Sequence, residues 1–195
     1  PLVYDGYKNP NKVIKNNIFS TINLFNYIKN KKTFLVNFTT DKVYFNDNKS
    51  HKYFTENDIL YGEDPYSFSK VVTDMMGKMW SHNFKPTKII NVRCGNVIGG
   101  ADWKQKRLIP DIIKNHYQKK KLDKRNLNST RPWVHILEVS NILMLLIQKK
   151  FNENFQYDVF NISPGNGDEK NVKWIINYFE KNSKTKLNYA LKNTF

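Results

Sequence analysis

Phe34-Leu35-Val36-Asn37-Phe38, a nearly unbroken apolar run that passes straight into the polar Thr39-Thr40-Asp41, constrains this chain more than any other stretch. A short continuous run of this kind reads as a strand buried on both faces, the situation in parallel sheets covered by helices. The flanks agree. Ile14, Ile18, Ile22, Phe25 and Ile28 recur at helical spacing, so residues from about 11 to 30 read as an amphipathic helix. Asp64 before Pro65 predicts a second helix start, because a carboxylate can cap free N–H groups and proline suits the first helical position. Val72, Met75, Met76, Met79 and Trp80 continue that helix on an apolar face. Lys88 to Val92 reads as the next strand and runs into Arg93-Cys94-Gly95-Asn96-Val97-Ile98-Gly99-Gly100, whose glycines permit a tight loop. Residues 108 to 121 read as helix, 159 to 162 as strand and 172 to 181 as helix. This alternation is that of an α/β domain, and in doubly wound sheets ligands sit at the carboxyl ends of the strands.

Composition narrows the partners. With 195 residues, 39% of them hydrophobic and 14% aromatic, the chain can build a core. A formal charge of +15 raises nucleic acid as a partner, but the one dense basic run is Lys119 to Arg125. The remaining lysines are scattered among asparagines, as on solvated faces, so no nucleic-acid partner is expected. The single cysteine, Cys94, excludes an internal disulfide framework and fits a reducing compartment, with cytoplasm the expected location. His51, His82, His116 and His135 lack paired metal-ligand spacing, so no metal is expected. The longest apolar run, Ile142 to Ile147, is far too short to span a bilayer, and no membrane association is expected.

The chemistry is expected where Thr39-Thr40-Asp41-Lys42 meets Tyr66-Ser67-Phe68-Ser69-Lys70. On a helix, residues i and i+4 lie one above the other, which places Tyr66 and Lys70 on one face. An ammonium beside a phenol favours the phenolate, and a phenolate can accept a proton near neutral pH.

Taken in order, Thr40-Asp41-Lys42, Asp64-Pro65-Tyr66-Ser67, Arg93 with Gly95-Asn96-Val97-Ile98-Gly99-Gly100, Asp102-Trp103, Arg107-Leu108-Ile109-Pro110-Asp111 and Arg131-Pro132-Trp133-Val134-His135 resemble the extended short-chain dehydrogenase/reductase superfamily. Within it the chain resembles the nucleotide-sugar 4,6-dehydratases. Gly99-Gly100-Ala101-Asp102-Trp103, Arg131-Pro132-Trp133 and Lys42 match the CDP-glucose branch. Ser20 stands where the family usually has glycine, in the helix around Asn17. No glycine-rich phosphate loop occurs in the sequence and the first residue is Pro1, so an internal piece of a longer protein, inactive in isolation, is expected.

The resemblance implies a Rossmann-like doubly wound parallel sheet without its glycine-loop half, followed by part of a small substrate domain. It assigns residues 1–98 mainly to the cofactor half and 99–195 mainly to substrate binding, with a strand and helix returning to the core. It implies NAD as cofactor, a nucleotide-sugar substrate and a homodimer when complete. Tyr66 and Lys70 would serve both catalysis and cofactor binding, with Arg93 also at the cofactor. Thr40, Asp41 and Lys42 would complete the catalytic set, Asp41 as the acid that releases water from C6 of the sugar. Asn96, Arg107 and Arg131 would bind substrate. Trp103 and Trp133 would flank the nucleotide or fill core, while Cys94 and His135 are expected to be structural. A 4-epimerase, another sugar-nucleotide dehydratase, a non-catalytic remnant and a basic binding module are the competing readings.

Overall fold

A computed structural model describes residues 3–47, 53–119, 122–187 and 189–191. His51, Pro1 and residues 120 and 121 of the basic run lie outside the described residues. In chain order the elements are α1 (Val3–Lys8), α2 (Pro10–Ile28), β1 (Phe34–Phe38), a 3-10 turn (Asp41–Val43), α3 (Pro65–Asn83), β2 (Lys88–Cys94) and β3 (Asn96–Ile98). There follow α4 (Leu108–Gln118), β4 (Leu122–Arg125), β5 (Thr130–Arg131), β6 (Trp133–His135), α5 (Ile136–Phe151), β7 (Tyr157–Ile162), β8 (Lys170–Asn171), α6 (Val172–Ser183) and β9 (Tyr189–Leu191). The chain divides into two compact units, one made of Pro1–Gly95 and Val139–Ile162, the other of Asn96–Glu138 and Ser163–Phe195.

The first unit is built on a parallel sheet of order β1-β2-β7. The centre strand β2 is buried almost throughout, as expected of a parallel strand paired on both sides and covered by helix. Registers Leu35↔Ile89 and Asn37↔Asn91 put alternate residues on one face. There Ile89 packs with Phe25 and Ile28 of α2 and Trp80 of α3, and Leu35, Met76 and Phe84 close the cluster. The buried Thr87 hydroxyl ties the end of α2 to the start of β2, donating to the carbonyls of Ile28 (2.9 Å) and Lys31 (3.0 Å).

Helix α3 approaches the sheet so closely that Gly77 leaves no room for a side chain. A Cβ there would lie 2.3 Å from Asn91 Oδ1. Asn91 cannot yield, since its Oδ1 accepts from Asn37 (2.9 Å) while its Nδ2 donates to the Asp74 carbonyl (2.7 Å) and to the Tyr157 hydroxyl (2.9 Å). Gly77→Ala is therefore expected to destabilise the fold by about 1–3 kcal/mol, the usual cost of overpacking. Urea unfolding should show a lower midpoint with an unchanged slope; a midpoint at the wild-type value would show that α3 and β2 can move apart freely.

The second unit contains the short parallel pairs β3-β6 and β4-β9 and the antiparallel pair β5-β8. Leu108 and Ile112 of α4 pack with Leu122, Val172, Ile176 and Leu187 to form its core, with Leu127, Trp133, Ile175 and Phe179 against them. Trp133 is thus a core-packing residue, and its indole N–H donates to the Lys170 carbonyl at 2.9 Å. No helix among the described residues is long and apolar enough to cross a membrane.

Candidate active site

Strand β1 delivers the polar turn. Thr39 continues the ladder by donating its N–H to the Val92 carbonyl (2.8 Å), and Thr40 turns the chain into the 3-10 segment. The Thr40 hydroxyl accepts the Lys42 N–H at 3.4 Å and lies 3.0 Å from Asp41 Oδ1, to which it donates. Thr40 is buried, while Asp41 and Lys42 are half-buried.

Helix α3 begins where the sequence places it. The Asp64 carboxylate accepts from the N–H groups of Tyr66 (2.8 Å) and Ser67 (3.1 Å), and the Ser67 hydroxyl accepts the Asp64 N–H in return, a reciprocal capping box. Two glycines bring neighbouring chain onto this first turn. A Cβ on Gly62 would lie 2.3 Å from Phe68 Cα, and one on Gly6 would lie 3.4 Å from the Tyr66 nitrogen. Asn17 of α2 fixes the next turn, since its amide donates to the Ser69 hydroxyl (2.8 Å), which donates to the Tyr66 carbonyl (2.7 Å). Ser20 is accommodated within α2 by donating its hydroxyl to the Asn16 carbonyl.

The Lys70 ammonium donates to the carbonyl of Phe38, the last residue of β1, at 3.1 Å. This bond brings the Tyr66–Lys70 face of α3 to the strand end that carries Thr40, Asp41 and Lys42. Burial pushes the Lys70 ammonium below its ordinary range, so an anion forming beside it is well placed to be stabilised.

Arg93 lies behind this turn. It is 4% exposed and makes a bidentate pair with Asp74, Nη2 to Oδ1 at 2.7 Å and Nε to Oδ2 at 2.9 Å. Its Nη1 donates to the Tyr44 hydroxyl (3.0 Å) and the Glu56 carbonyl (2.9 Å). Burial disfavours the guanidinium charge, but the hydrogen bonds with Asp74 and Tyr44 outweigh it and hold Arg93 above its ordinary value. Sequence reasoning passes over Asp74, Asn91 and Tyr44. The available signal is a carboxylate one helical turn beyond Lys70 and an asparagine inside an otherwise apolar strand.

The three residues expected at the substrate lie in the second unit. The Asn96 N–H donates to the Pro132 carbonyl at 2.9 Å, which sets Asn96 beside the strand end that carries Arg131. Arg131 is exposed and donates to the Thr130 carbonyl. Arg107, at the N-cap of α4, pairs with Asp102 at 2.7 Å. Burial slightly opposes the Asp102 charge, but bonds from Arg107 and the Lys104 N–H hold this carboxyl below the usual range. Trp103 is exposed, and His135 caps α5 by accepting the Leu137 N–H on Nδ1.

The model of the NAD dependent epimerase/dehydratase family matches residues 3–163. The chain belongs to this family. CDP-glucose 4,6-dehydratase of Salmonella typhimurium is 33% identical over 189 residues, which are 90% of this chain and 52% of that protein. The chain therefore spans about half the length of this curated relative. Among solved structures, dTDP-glucose 4,6-dehydratase from Streptomyces venezuelae with NAD bound superposes with a TM-score of 0.85 at 17% identity, over 99% of this chain and 58% of that one. UDP-glucuronic acid 4-epimerase from Bacillus cereus, in complex with UDP-glucuronic acid and NAD, gives 0.79 at 20% identity, over 91% and 55%. These likenesses bear out the Rossmann-like fold.

Within this epimerase/dehydratase chain the cysteine next to the turn is inert. Cys94 ends β2 and is buried; burial, followed by the nearby Asp41 charge, pushes its thiol up to about 11 against a weaker opposing bond from the Gly95 N–H. An ordinary thiol titrates near 8.5, so at pH 8 the folded chain should hold on the order of 10²-fold less thiolate than the unfolded chain. Iodoacetamide should label Cys94 only after denaturation. Equal rates in native and denaturing buffer would refute the burial. The same shift has a consequence for stability: the native state keeps this proton while the unfolded chain releases it, so stability falls as pH rises from about 8.5 to 11.

Proposed function

We propose that the protein carrying this chain is a nucleotide-sugar 4,6-dehydratase that converts CDP-D-glucose to CDP-4-dehydro-6-deoxy-D-glucose and water. One observation carries the reading: the Lys70 bond to the Phe38 carbonyl, which joins the phenol–ammonium face of α3 to a turn bearing a hydroxyl, a carboxylic acid and an amine. The 33% identity to a CDP-glucose 4,6-dehydratase supports the choice of sugar nucleotide.

The residues fit the nicotinamide-ribose end of NAD. An ammonium has three donors, and Phe38 occupies one, which leaves two for ribose hydroxyls beside Tyr66. When bound, NAD supplies the acceptor and later the donor of a hydride. Tyr66, as phenolate, takes the proton of the sugar C4 hydroxyl, and Lys70 stabilises that phenolate. Thr40 hydrogen-bonds the same hydroxyl. Oxidation at C4 acidifies the C5 proton, and Asp41 protonates the C6 oxygen as it departs. An epimerase needs no acid at C6, so Asp41 on this turn favours dehydration. In the second unit, Arg131 can donate two parallel bonds to diphosphate, with Asn96 and Arg107 as further substrate contacts. The exposed Phe19, Tyr27, Phe68 and Met75 on α2 and α3 support a homodimer formed through these helices.

The test is incubation of the protein with CDP-glucose and NAD, with detection of the 4-keto-6-deoxy product. Appearance of that product supports the proposal. A 4-epimer formed without loss of water would replace dehydratase by epimerase, and no turnover of CDP-, dTDP- or UDP-glucose would overturn the enzymatic reading.

A further inference from the structure

We infer that Asp74 is a positioning residue: clamped by Arg93, it fixes both ends of the Thr40–Asp41–Lys42 turn against the helix that carries Tyr66 and Lys70. What the positioned groups do rests on the dehydratase reading; the tether itself does not.

Asp74 follows Lys70 by four residues and Tyr66 by eight, so all three lie along one stripe of α3. The Asp74 carboxylate is 1% exposed, and both of its oxygens are bonded to Arg93. Its Oδ2 also accepts the Thr39 hydroxyl at 2.8 Å, which secures the entry to the turn. The exit is Tyr44, whose N–H donates to the Asp41 carbonyl at 3.4 Å and whose hydroxyl accepts from Arg93 at 3.0 Å. That hydroxyl donates onward to Asn161 Oδ1 at 2.5 Å, and the ring stacks on Phe54 with planes 2° apart. A single ion pair therefore holds the residue before the turn and the residue after it. With the guanidinium donating to Asp74, Tyr44 and Glu56, Arg93 acts through the turn and not on the cofactor.

A buried pair of this kind is weak evidence for stability, because well-packed apolar replacements are often as stable. Its consequence here is geometric. Thr40 and Asp41 hang between two anchor points, and loss of either anchor frees them relative to Tyr66 while the sheet stays intact.

Thr39→Val removes one anchor and leaves the Asp74–Arg93 pair in place. Amide hydrogen exchange reads the result directly. The Val43 and Tyr44 amides, bonded within the turn, should exchange at least tenfold faster, while those of Ile89 and Gly95, bonded to the Gln156 and Ile162 carbonyls, stay within twofold. An Asp74→Leu/Arg93→Met double variant, which strands no charge, should show the same local pattern. In turnover of CDP-glucose, Thr39→Val should lower kcat at least tenfold with KM within threefold. Uniform acceleration of all four amides, no acceleration at all, or a rise in KM without loss of kcat would overturn the inference. Exchange needs no substrate, so absence of turnover would count against the dehydratase reading alone, and unchanged exchange in an active enzyme against the tether alone.

Discussion

Tyr66→Phe lowers kcat for CDP-glucose by about 10²–10⁴-fold, the range for removal of a positioned proton acceptor, and leaves KM nearly unchanged. The ring keeps its shape, the Asp64 capping box uses only the backbone of residue 66, and the Asn17–Ser69 bond reaches only its carbonyl. Nothing else in the first turn of α3 depends on the hydroxyl, so the loss falls on chemistry and not on folding. Steady-state kinetics across pH is the check. Wild-type kcat should rise with pH as the phenol ionises, and the variant should lose that limb. A variant that keeps more than a tenth of the activity would remove Tyr66 from the reaction.

Asp74→Ala produces the largest loss of stability, about 3–5 kcal/mol, because it strands a buried guanidinium. Arg93 is 4% exposed, and removal of Asp74 leaves its Nε and Nη2 without their acceptor. Against the 5–15 kcal/mol that usually separates folded from unfolded states, this loss takes much of the margin. Urea denaturation should show the variant partly unfolded at low denaturant. A loss below about 1 kcal/mol would mean that water or another acceptor reaches the guanidinium.

Much of this architecture is legible in the sequence wherever a local rule suffices. Helix α2 follows from isoleucine spacing, α3 from the Asp64-Pro65 start, and β1 from five residues of apolar run. Helix α5 escapes the reading because Ile136, Leu137, Val139 and the run Ile142 to Ile147 put apolar residues on nearly every face, which hides the helical period. The two- and three-residue strands of the second unit are set by partners distant in sequence, as in Thr130↔Asn171, and carry no signal of their own. At the site, the shared face of Tyr66 and Lys70 follows from spacing alone. The fate of Arg93 does not: a guanidinium beside a sheet edge could serve a ligand, and only the fold reveals Asp74 at its Nε and Nη2.

The polypeptide passes between its two units at 95/96, 138/139 and 162/163, so each is assembled from discontinuous stretches. No single break in a gene can part the turn and helix proposed for proton transfer from the arginines proposed for diphosphate. They must be inherited together. Point changes face no such restriction, and descent of this chain can retune the sugar nucleotide it accepts through residues 96–138 while the proton chemistry in the other unit stays fixed.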